Sequence, residues 1–560
     1  MNYYIQLKKS NCKNCYKCIR HCPVKSIRFS DHQANIVKEQ CILCGECFVA
    51  CPQNAKQIRN DVDIVKTMIA SGTPVYASVA PSFIANYEGT DLSGLTKALS
   101  QLGFAGAQET AIGATIVKKE YEEMIRSGEG KAIISSCCHT VNSLIQKYYP
   151  EALPYLANVL SPMQAHCSKI KEEHPGAFTV FLGPCISKKE EAELYPGIVD
   201  CALTFEELSS WLSEEDVNLS PTSEQPSKDQ GRARLFPIPG GIIRSMFTEE
   251  LEYDFISVDG IENCMKALTN IIKGELKNCF IEMSACSGSC IGGPAMDQER
   301  RTPLSDFIRV NRYAGEKDFN ITPSASEKLA KSFSYLGCHS QMPGSHAVEE
   351  ILHKMGKSCP EHELNCGSCG YNTCREKAVA VIQGKADLTM CLPYLKEKAE
   401  NFSDNIIFNM PNGVLVLNEE LEVQQINRAA RQILNISHKS DILGSPVVRI
   451  LNPGVYLEVM TSGHNIHDKL SYLPDYQRYV EETVIYDRTY HIIISIMRDI
   501  TAEEKARLKK EQISKQTMEI TDKVIEKQMR VVQEIASLLG ETTAETKIAL
   551  TNLKETLGNE

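Results

Sequence analysis

The chain has no apolar run long enough to span a bilayer, no charged-then-apolar leader across Met1 to Ser10, and no long stretch of lysine and arginine. The first two absences predict a cytoplasmic protein with no membrane attachment, since a spanning helix needs about 20 consecutive apolar residues. The third, with a net charge of -11, argues against a nucleic-acid partner, because neutralising a phosphate backbone takes a concentrated basic surface. At 560 residues the chain exceeds what one core can organise, as cores stop growing at roughly 250 to 300 residues, so roughly four or five domains are expected. What it has in excess is cysteine: 23 residues, many in C-x2-C triplets. That spacing is too tight and too regular for a disulfide framework and points to metal thiolates in a reducing, oxygen-free setting.

The N-terminal segment reads Cys12-x2-Cys15-x2-Cys18-x3-Cys22-Pro23 and repeats as Cys41-x2-Cys44-x2-Cys47-x3-Cys51-Pro52. It resembles a bacterial two-cluster ferredoxin. In such a repeat three thiolates wrap one cubane and the fourth, before proline, reaches the other. Cys12, Cys15, Cys18 and Cys51 are then expected to hold one [4Fe-4S] cluster, and Cys41, Cys44, Cys47 and Cys22 the second. Two zinc sites are the alternative, a poorer fit because zinc modules use pairs of ligands and not triplets closed by Cys-Pro.

From about residue 61 to 355 apolar runs such as Pro74 to Val79, Ala132 to Ile134 and Phe178 to Leu182 alternate with amphipathic stretches, which predicts an α/β domain. A Pro/Ser-rich stretch from Ser213 to Arg234 reads as an exposed loop. Three cysteine-bearing turns fall in this region: Ser135-Ser136-Cys137-Cys138, Gly183-Pro184-Cys185 running on to Lys188 and Glu191, and Cys286-Ser287-Gly288-Ser289-Cys290 followed by Gly292-Gly293. Together, in this order, they resemble the signature segments of the [FeFe]-hydrogenase catalytic domain.

That resemblance implies a cluster cofactor on Cys138, Cys185, Cys286 and Cys290, with Cys290 bridging a [4Fe-4S] cubane to a two-iron subcluster carrying CO, cyanide and a dithiolate. It assigns Cys137 as proton relay and Lys188 as donor to a cyanide ligand, a charge-assisted bond. Glu191 matches a family glutamate near the site. The small residues between Cys286 and Gly293 let backbone N–H groups approach the sulfides. Buried structural cysteines are the bland alternative. Several positions depart from the family. Its Cys-Cys-Pro-x-Trp is here Cys137-Cys138-His139, its two methionines are Gly183 and Ser284, and its glutamine after Ser161-Pro162 falls on Met163. These changes put fast turnover in doubt, not cluster binding. His139 reads equally as an acid–base group or as a loop residue. The remaining Cys167, Cys201, Cys264, Cys279, Cys338 and Cys359 read as core residues.

Beyond residue 355, Cys366-x2-Cys369-x4-Cys374 with a later Cys391-Leu392-Pro393 resembles the four-cysteine [4Fe-4S] module of corrinoid and redox proteins, with zinc as the runner-up. Gly413 to Leu417, a turn, a second strand, a helix opened by Asn427, and the apolar strand Ile492 to Met497 resemble a PAS domain. His464, His467 and His491 read as structural, with no cofactor expected there. After Thr501, Ile525, Met529, Val532, Ala536 and Leu539 repeat at steps of four and three, a helix-pairing seam. Gly540 and the capping box Thr542-x-x-Glu545 then predict a second helix striped by Ile548, Ala549, Leu553 and Leu557. The hairpin resembles the dimerisation stem of sensor kinases. No histidine follows His491 to accept phosphate and no Gly-rich ATP-binding segment follows, so output must lie in a partner, or the stem serves dimerisation alone.

The expected architecture is multidomain α/β and α+β: a 2[4Fe-4S] ferredoxin-like domain over 1–60, a hydrogenase-like domain over 61–355, a [4Fe-4S] module over 356–400, a PAS domain over 401–500 and a helical stem over 501–560. The expected function is a hydrogenase-like H2 and redox sensor, a homodimer, that signals to a partner protein for which the resemblance suggests a serine phosphatase or kinase. The alternative is a working hydrogenase oxidising H2 or reducing protons with a ferredoxin partner. A scaffold carrying clusters without H2 chemistry would leave Cys137 and Lys188 without a task.

Overall fold

The computed structural model describes residues 3–30, 33–127, 131–220, 229–246, 253–297, 302–321, 326–338, 342–539 and 544–557. The chain forms two compact units, Met1–Tyr394 and Leu395–Glu560.

In the first unit, strand Ile5–Leu7 pairs antiparallel with Lys56–Ile58, and Ile27–Ser30 with Gln33–Ile36. Helices Lys17–His21 and Glu46–Val49 carry cysteines of the two triplets. The segment that follows folds around two parallel sheets. One runs in the order Gly106–Glu109, Val75–Val79, Phe178–Gly183, Cys201–Thr204. The other runs Asp254–Asp259, Cys279–Ser284, Ile133–Ile134. The apolar runs of the sequence become these strands because a parallel strand is covered by helices on both faces and needs no polar alternation. Val75, Ala77, Val79, Val180 and Leu182 are fully buried.

The stretch from Ser213 to Arg234 is the expected exposed loop over residues 215–220 and 229–230 and departs from it at its two ends. Helix Phe205–Glu214 includes Ser213, residues 221–228 lie outside the described residues, and Arg234 is half-buried with both guanidinium arms on Glu109 at 2.6 and 2.7 Å. A carboxylate in the strand end, buried at Glu109, requires that cation. Of the six unassigned cysteines, Cys167, Cys201, Cys264 and Cys279 are core residues, whereas Cys338 and Cys359 are only half-buried.

The ferredoxin-like region is latched to the sheet domain by charge. Lys189, buried on the helix Ser187–Leu194, donates to Asp61 and to Glu207, each at 2.8 Å, and to the Ala202 carbonyl at 3.0 Å. Arg59 reaches the same Asp61 at 2.8 Å.

In the second unit a five-stranded antiparallel sheet has the order Val423–Ile426, Gly413–Leu417, Ile492–Asp499, Arg478–Asp487, Ile466–Leu473. Asn427 caps the helix Arg428–Ile433 by accepting from Ala430, and the same side chain accepts from Val414 and donates to the carbonyls of Ile407 and Asn412. The last strand passes into helix Thr501–Leu539, with Ala544–Leu557 as a second helix tied back by Lys554 to Asp522 at 2.9 Å. Ile525, Met529 and Val532 of the expected seam are half-buried. The side chains of Ala536 and Leu539, Gly540 and the capping box from Thr542 lie outside what is described.

Replacing Lys189 by methionine removes the cation on Glu207 and leaves Asp61 to Arg59 alone. Removing one partner of a buried pair costs about 3 to 5 kcal/mol, and that loss is expected in the unfolding free energy of Lys189→Met measured with urea.

Candidate functional site

The three cysteine-bearing turns lie at the carboxyl ends of parallel strands. Ile133–Ile134 leads to Cys137 and Cys138, Phe178–Gly183 to Cys185, and Cys279–Ser284 to Cys286 and Cys290. In open parallel sheets that edge is where loops meet over a crevice. Here they enclose a cavity of about 120 Å³ lined by Cys137, Cys138, Cys185, Cys290, Lys188 and Glu282 among others. Cys286 is not in its wall but stands within electrostatic reach of Cys185, Cys138 and Cys290. Cys290 has open surface because it faces the cavity, and protein surrounds it otherwise.

Burial raises the thiols of Cys138, Cys286 and Cys290 above the ordinary range, each further raised by its neighbours. Cys138 occupies the N-cap position of the helix His139–Tyr148, and the backbone N–H groups of Ala285 and Val141 favour its thiolate. Four enclosed thiols in mutual reach, none in a disulfide, suit a polynuclear iron–sulfur group. Among the described residues no three His, Cys, Asp or Glu side chains close on one point as ligands of a single ion would. Thiolates at the corners of a cubane are spaced wider than that.

Behind the cavity lies a sealed ion cluster. Lys188 donates to Glu191 and, at 3.1 Å, to the Cys137 carbonyl. Glu191 also receives Lys331 at 2.7 Å and the Ser161 hydroxyl at 3.2 Å. Burial would raise the Glu191 carboxyl, but Lys188 and Lys331 hold it well below the usual carboxylate range. Burial works against the Lys188 ammonium too, yet Glu191 keeps it charged. Glu191 thus stands one residue behind the cavity and orients Lys188 rather than lining the wall.

Cys137 is pushed up to about 12, first by burial, with Tyr121 and Lys188 opposing. Its sulfur lies 3.2 Å from the Tyr121 hydroxyl. His139 lines the cavity and pairs through Nε2 with Glu190 at 3.1 Å. Tyr121, Lys331 and Glu282 escaped the reading of the sequence. Glu282 alone carried a signal, a single carboxylate inside the apolar strand Cys279–Ser284.

The other expected ligands gather as well. Cys18 is within electrostatic reach of Cys12, Cys15 and Cys51, and Cys44 of Cys22, Cys47 and Cys41. Cys366, Cys369, Cys374 and Cys391 line one small cavity. Gly45, beside Cys44, has φ of +79° and packs so tightly that a Cβ would lie 2.4 Å from Pro294, just past Cys290. The second triplet thereby abuts the sheet-domain site, and Cys44 lies within reach of Cys286.

Fold and site define an iron–sulfur protein in which ferredoxin-type thiol sets lead to a thiol-walled cavity. Residues 73–294 match the family described as iron only hydrogenase large subunit, C-terminal domain. Residues 4–52 match a 4Fe-4S dicluster domain, and 363–393 a putative Fe-S cluster family. The chain is 24% identical over 350 residues to iron hydrogenase 1 of Clostridium pasteurianum, covering 51% of this chain and 60% of that one. It is 24% identical over 398 residues to the periplasmic [Fe] hydrogenase large subunit of Nitratidesulfovibrio vulgaris, covering 58% and 94%. A solved [FeFe]-hydrogenase from Chlamydomonas reinhardtii overlays with a TM-score of 0.40 at 18% identity, over 50% of this chain and 100% of that one. Through residues 73–294 the chain is similar to the iron-only hydrogenases, and it spans 60% of the length of the Clostridium pasteurianum relative. Among the described residues no helix is long and apolar enough to cross a membrane.

Burial raises the Glu282 carboxyl to about 7 despite backbone donors such as Ile243 at 3.1 Å. The fold prefers the neutral acid, so its contribution, about 3 kcal/mol for that shift, is complete below the ordinary glutamate range and lost as pH rises through about 7. Urea unfolding at about pH 5.5 and about pH 8.5 should show Glu282→Gln losing less stability than wild type on going to the higher pH.

Proposed function

We propose that the chain is a cytoplasmic hydrogen and redox sensor of the hydrogenase type, signalling through a PAS-like module and helical stem to a partner protein such as a serine phosphatase or kinase. The observation that carries this reading is the union, in one chain, of the thiol-walled cavity with a five-stranded sheet that runs directly into a 39-residue helix. That helix exposes Ile513, Ile520, Val524, Val531 and Ile535, a stripe with the spacing of a pairing seam, which supports a homodimer.

When bound on Cys138, Cys185, Cys286 and Cys290, the cubane and its two-iron neighbour with CO, cyanide and dithiolate supply the site for H2 and the store for its electrons. The protein's own residues supply the proton handling and the fixed charge. Cys137 is protonated at neutral pH and holds its proton at the cavity wall, with the Tyr121 hydroxyl behind it. Lys188, fixed by Glu191, presents a permanent ammonium to the same wall. Two positions, Gly183 behind the wall and Ser284 in it, support sensing over speed. A Cβ on Gly183 would lie 2.6 Å from the Phe181 ring, which occupies the space of a larger side chain, and Ser284 accepts from Ser289 at 2.8 Å. The second reading, a ferredoxin-linked hydrogenase in turnover, draws its support from Cys137 and Lys188, which both face the cavity.

Viologen-dye assays of matured protein should give slow H2 turnover, and rates typical of fast hydrogenases would reverse the choice between the two readings. Infrared spectra should show cyanide and carbonyl bands. Cys137→Ala should keep those bands while suppressing H/D exchange at least roughly a hundredfold, the usual scale of a lost proton donor; exchange at the wild-type rate would remove the relay role.

A further inference from the structure

The four-cysteine segment 366–391 stands late in the chain, yet it is docked on the ferredoxin-like region. Arg20, on the helix Lys17–His21, donates to the carbonyls of Gly367 and Ser368, each at 3.3 Å. Lys25 donates to the carbonyl of Gly370 at 3.0 Å, and to those of Ile19 and Arg20, each at 3.1 Å. Three carbonyls of the turn that carries Cys366 and Cys369 are thus held by two cations from around Cys22. Gly370, with φ of +92°, sits so close to that helix that a Cβ would lie 2.9 Å from Ile19. The Phe29 amide donates to the Lys385 carbonyl at 2.7 Å, and Ile19, Cys22, Cys41, Cys47, Cys369 and Tyr371 share one core.

Two side chains stand between the thiol sets. The half-buried Lys25 ammonium lies within electrostatic reach of both Cys22 and Cys369. Tyr371 is 2% exposed, with a hydroxyl that has no hydrogen-bond partner, and it too lies within reach of Cys369 and Cys22. On its far side the Cys22 set meets the sheet domain through Cys44 and Cys286.

We infer that the 366–391 cluster is a redox branch seated on the ferredoxin-like region, exchanging single electrons with the Cys22, Cys41, Cys44 and Cys47 cluster, and that Lys25 is the positioning residue that joins them. The inference rests on reading residues 366–391 as a [4Fe-4S] site. In each transfer one reduced cluster loses an electron and its oxidised neighbour gains it, with no bond made and no proton moved. The Cys22 cluster is then a junction, fed by the Cys12 set and by the 366–391 set and opening toward Cys286. Lys25 stabilises the more negative, reduced form of both neighbours. Cys391 immediately precedes the helix Leu392–Asn409, which leads along the chain to the second unit.

The test uses the full chain, loaded anaerobically with iron and sulfide and reduced stepwise with dithionite under electron paramagnetic resonance. The 366–391 signal, identified as the one lost in Cys369→Ala, should be broadened by a neighbouring spin, and its loss should narrow the signal of one ferredoxin-type cluster. Lys25→Gln should move the midpoint potentials of those two clusters downward and leave the Cys12 set in place. A 366–391 signal that is present but relaxes as an isolated spin, or potentials unmoved in Lys25→Gln, would overturn the docking inference alone. A wild-type chain that lacks this signal and is short by about four iron atoms would overturn the cluster reading and the inference with it. Should Cys369→Ala fail to fold, the wild-type line shape and Lys25→Gln decide the matter.

Discussion

A thiolate closed off from water must be met by positive charge or by directed N–H groups, or it takes up a proton. The first unit is arranged around that requirement. Its strand ends deliver Cys138, Cys185, Cys286 and Cys290 into protein-lined space, and burial drives the thiols of Cys138, Cys286 and Cys290 up. The backbone of Ala285 and Val141 and the ammonium of Lys188 supply part of the opposing field at Cys138. Iron supplies the remainder when a cluster is bound, so cluster loading and a stable core are one equilibrium.

Fixed charge needs its own support in the same low-dielectric interior. Lys188 can remain an ammonium at the cavity wall because Glu191 lies against it, and Glu191 remains ionised because Lys331 and Ser161 share its other contacts. Lys189, the next residue along, does a different job on the opposite side of the same helix, tying Asp61 and Glu207. Adjacent lysines on one helix thus serve the site and the seam between the ferredoxin-like region and the sheets. A disturbance at either is expected to be felt at the other through eight residues of helix, Ser187–Leu194.

The second unit follows different physics. Its core, with Leu415, Leu417, Val484, Ile493 and Met497 fully buried, is closed by an antiparallel sheet, and its long helix leaves a row of aliphatic side chains in water. A solvated stripe of this kind is stabilised by pairing with another helix.

Cysteine spacing made the thiol sets legible, because a cubane constrains neighbouring ligands to a few residues of one loop and that constraint is local. Apolar runs revealed the strands Val75–Val79 and Phe178–Gly183 for the same reason, since burial on both faces leaves a mark residue by residue. The end of the polar stretch, at Arg234, departed from the exposed loop expected there, as nothing near it in sequence announces Glu109. Tyr121 and Lys331 were invisible because each acts on a residue far along the chain, Cys137 and Glu191. What the sequence by itself determined is therefore which cysteines gather into sets and which segments form sheets, both short-range matters. Only the tertiary structure decided that the late 366–391 turn rests on Arg20 and Lys25 and that Glu191 stands behind Lys188, because contacts between distant segments depend on shape and charge that no local pattern encodes.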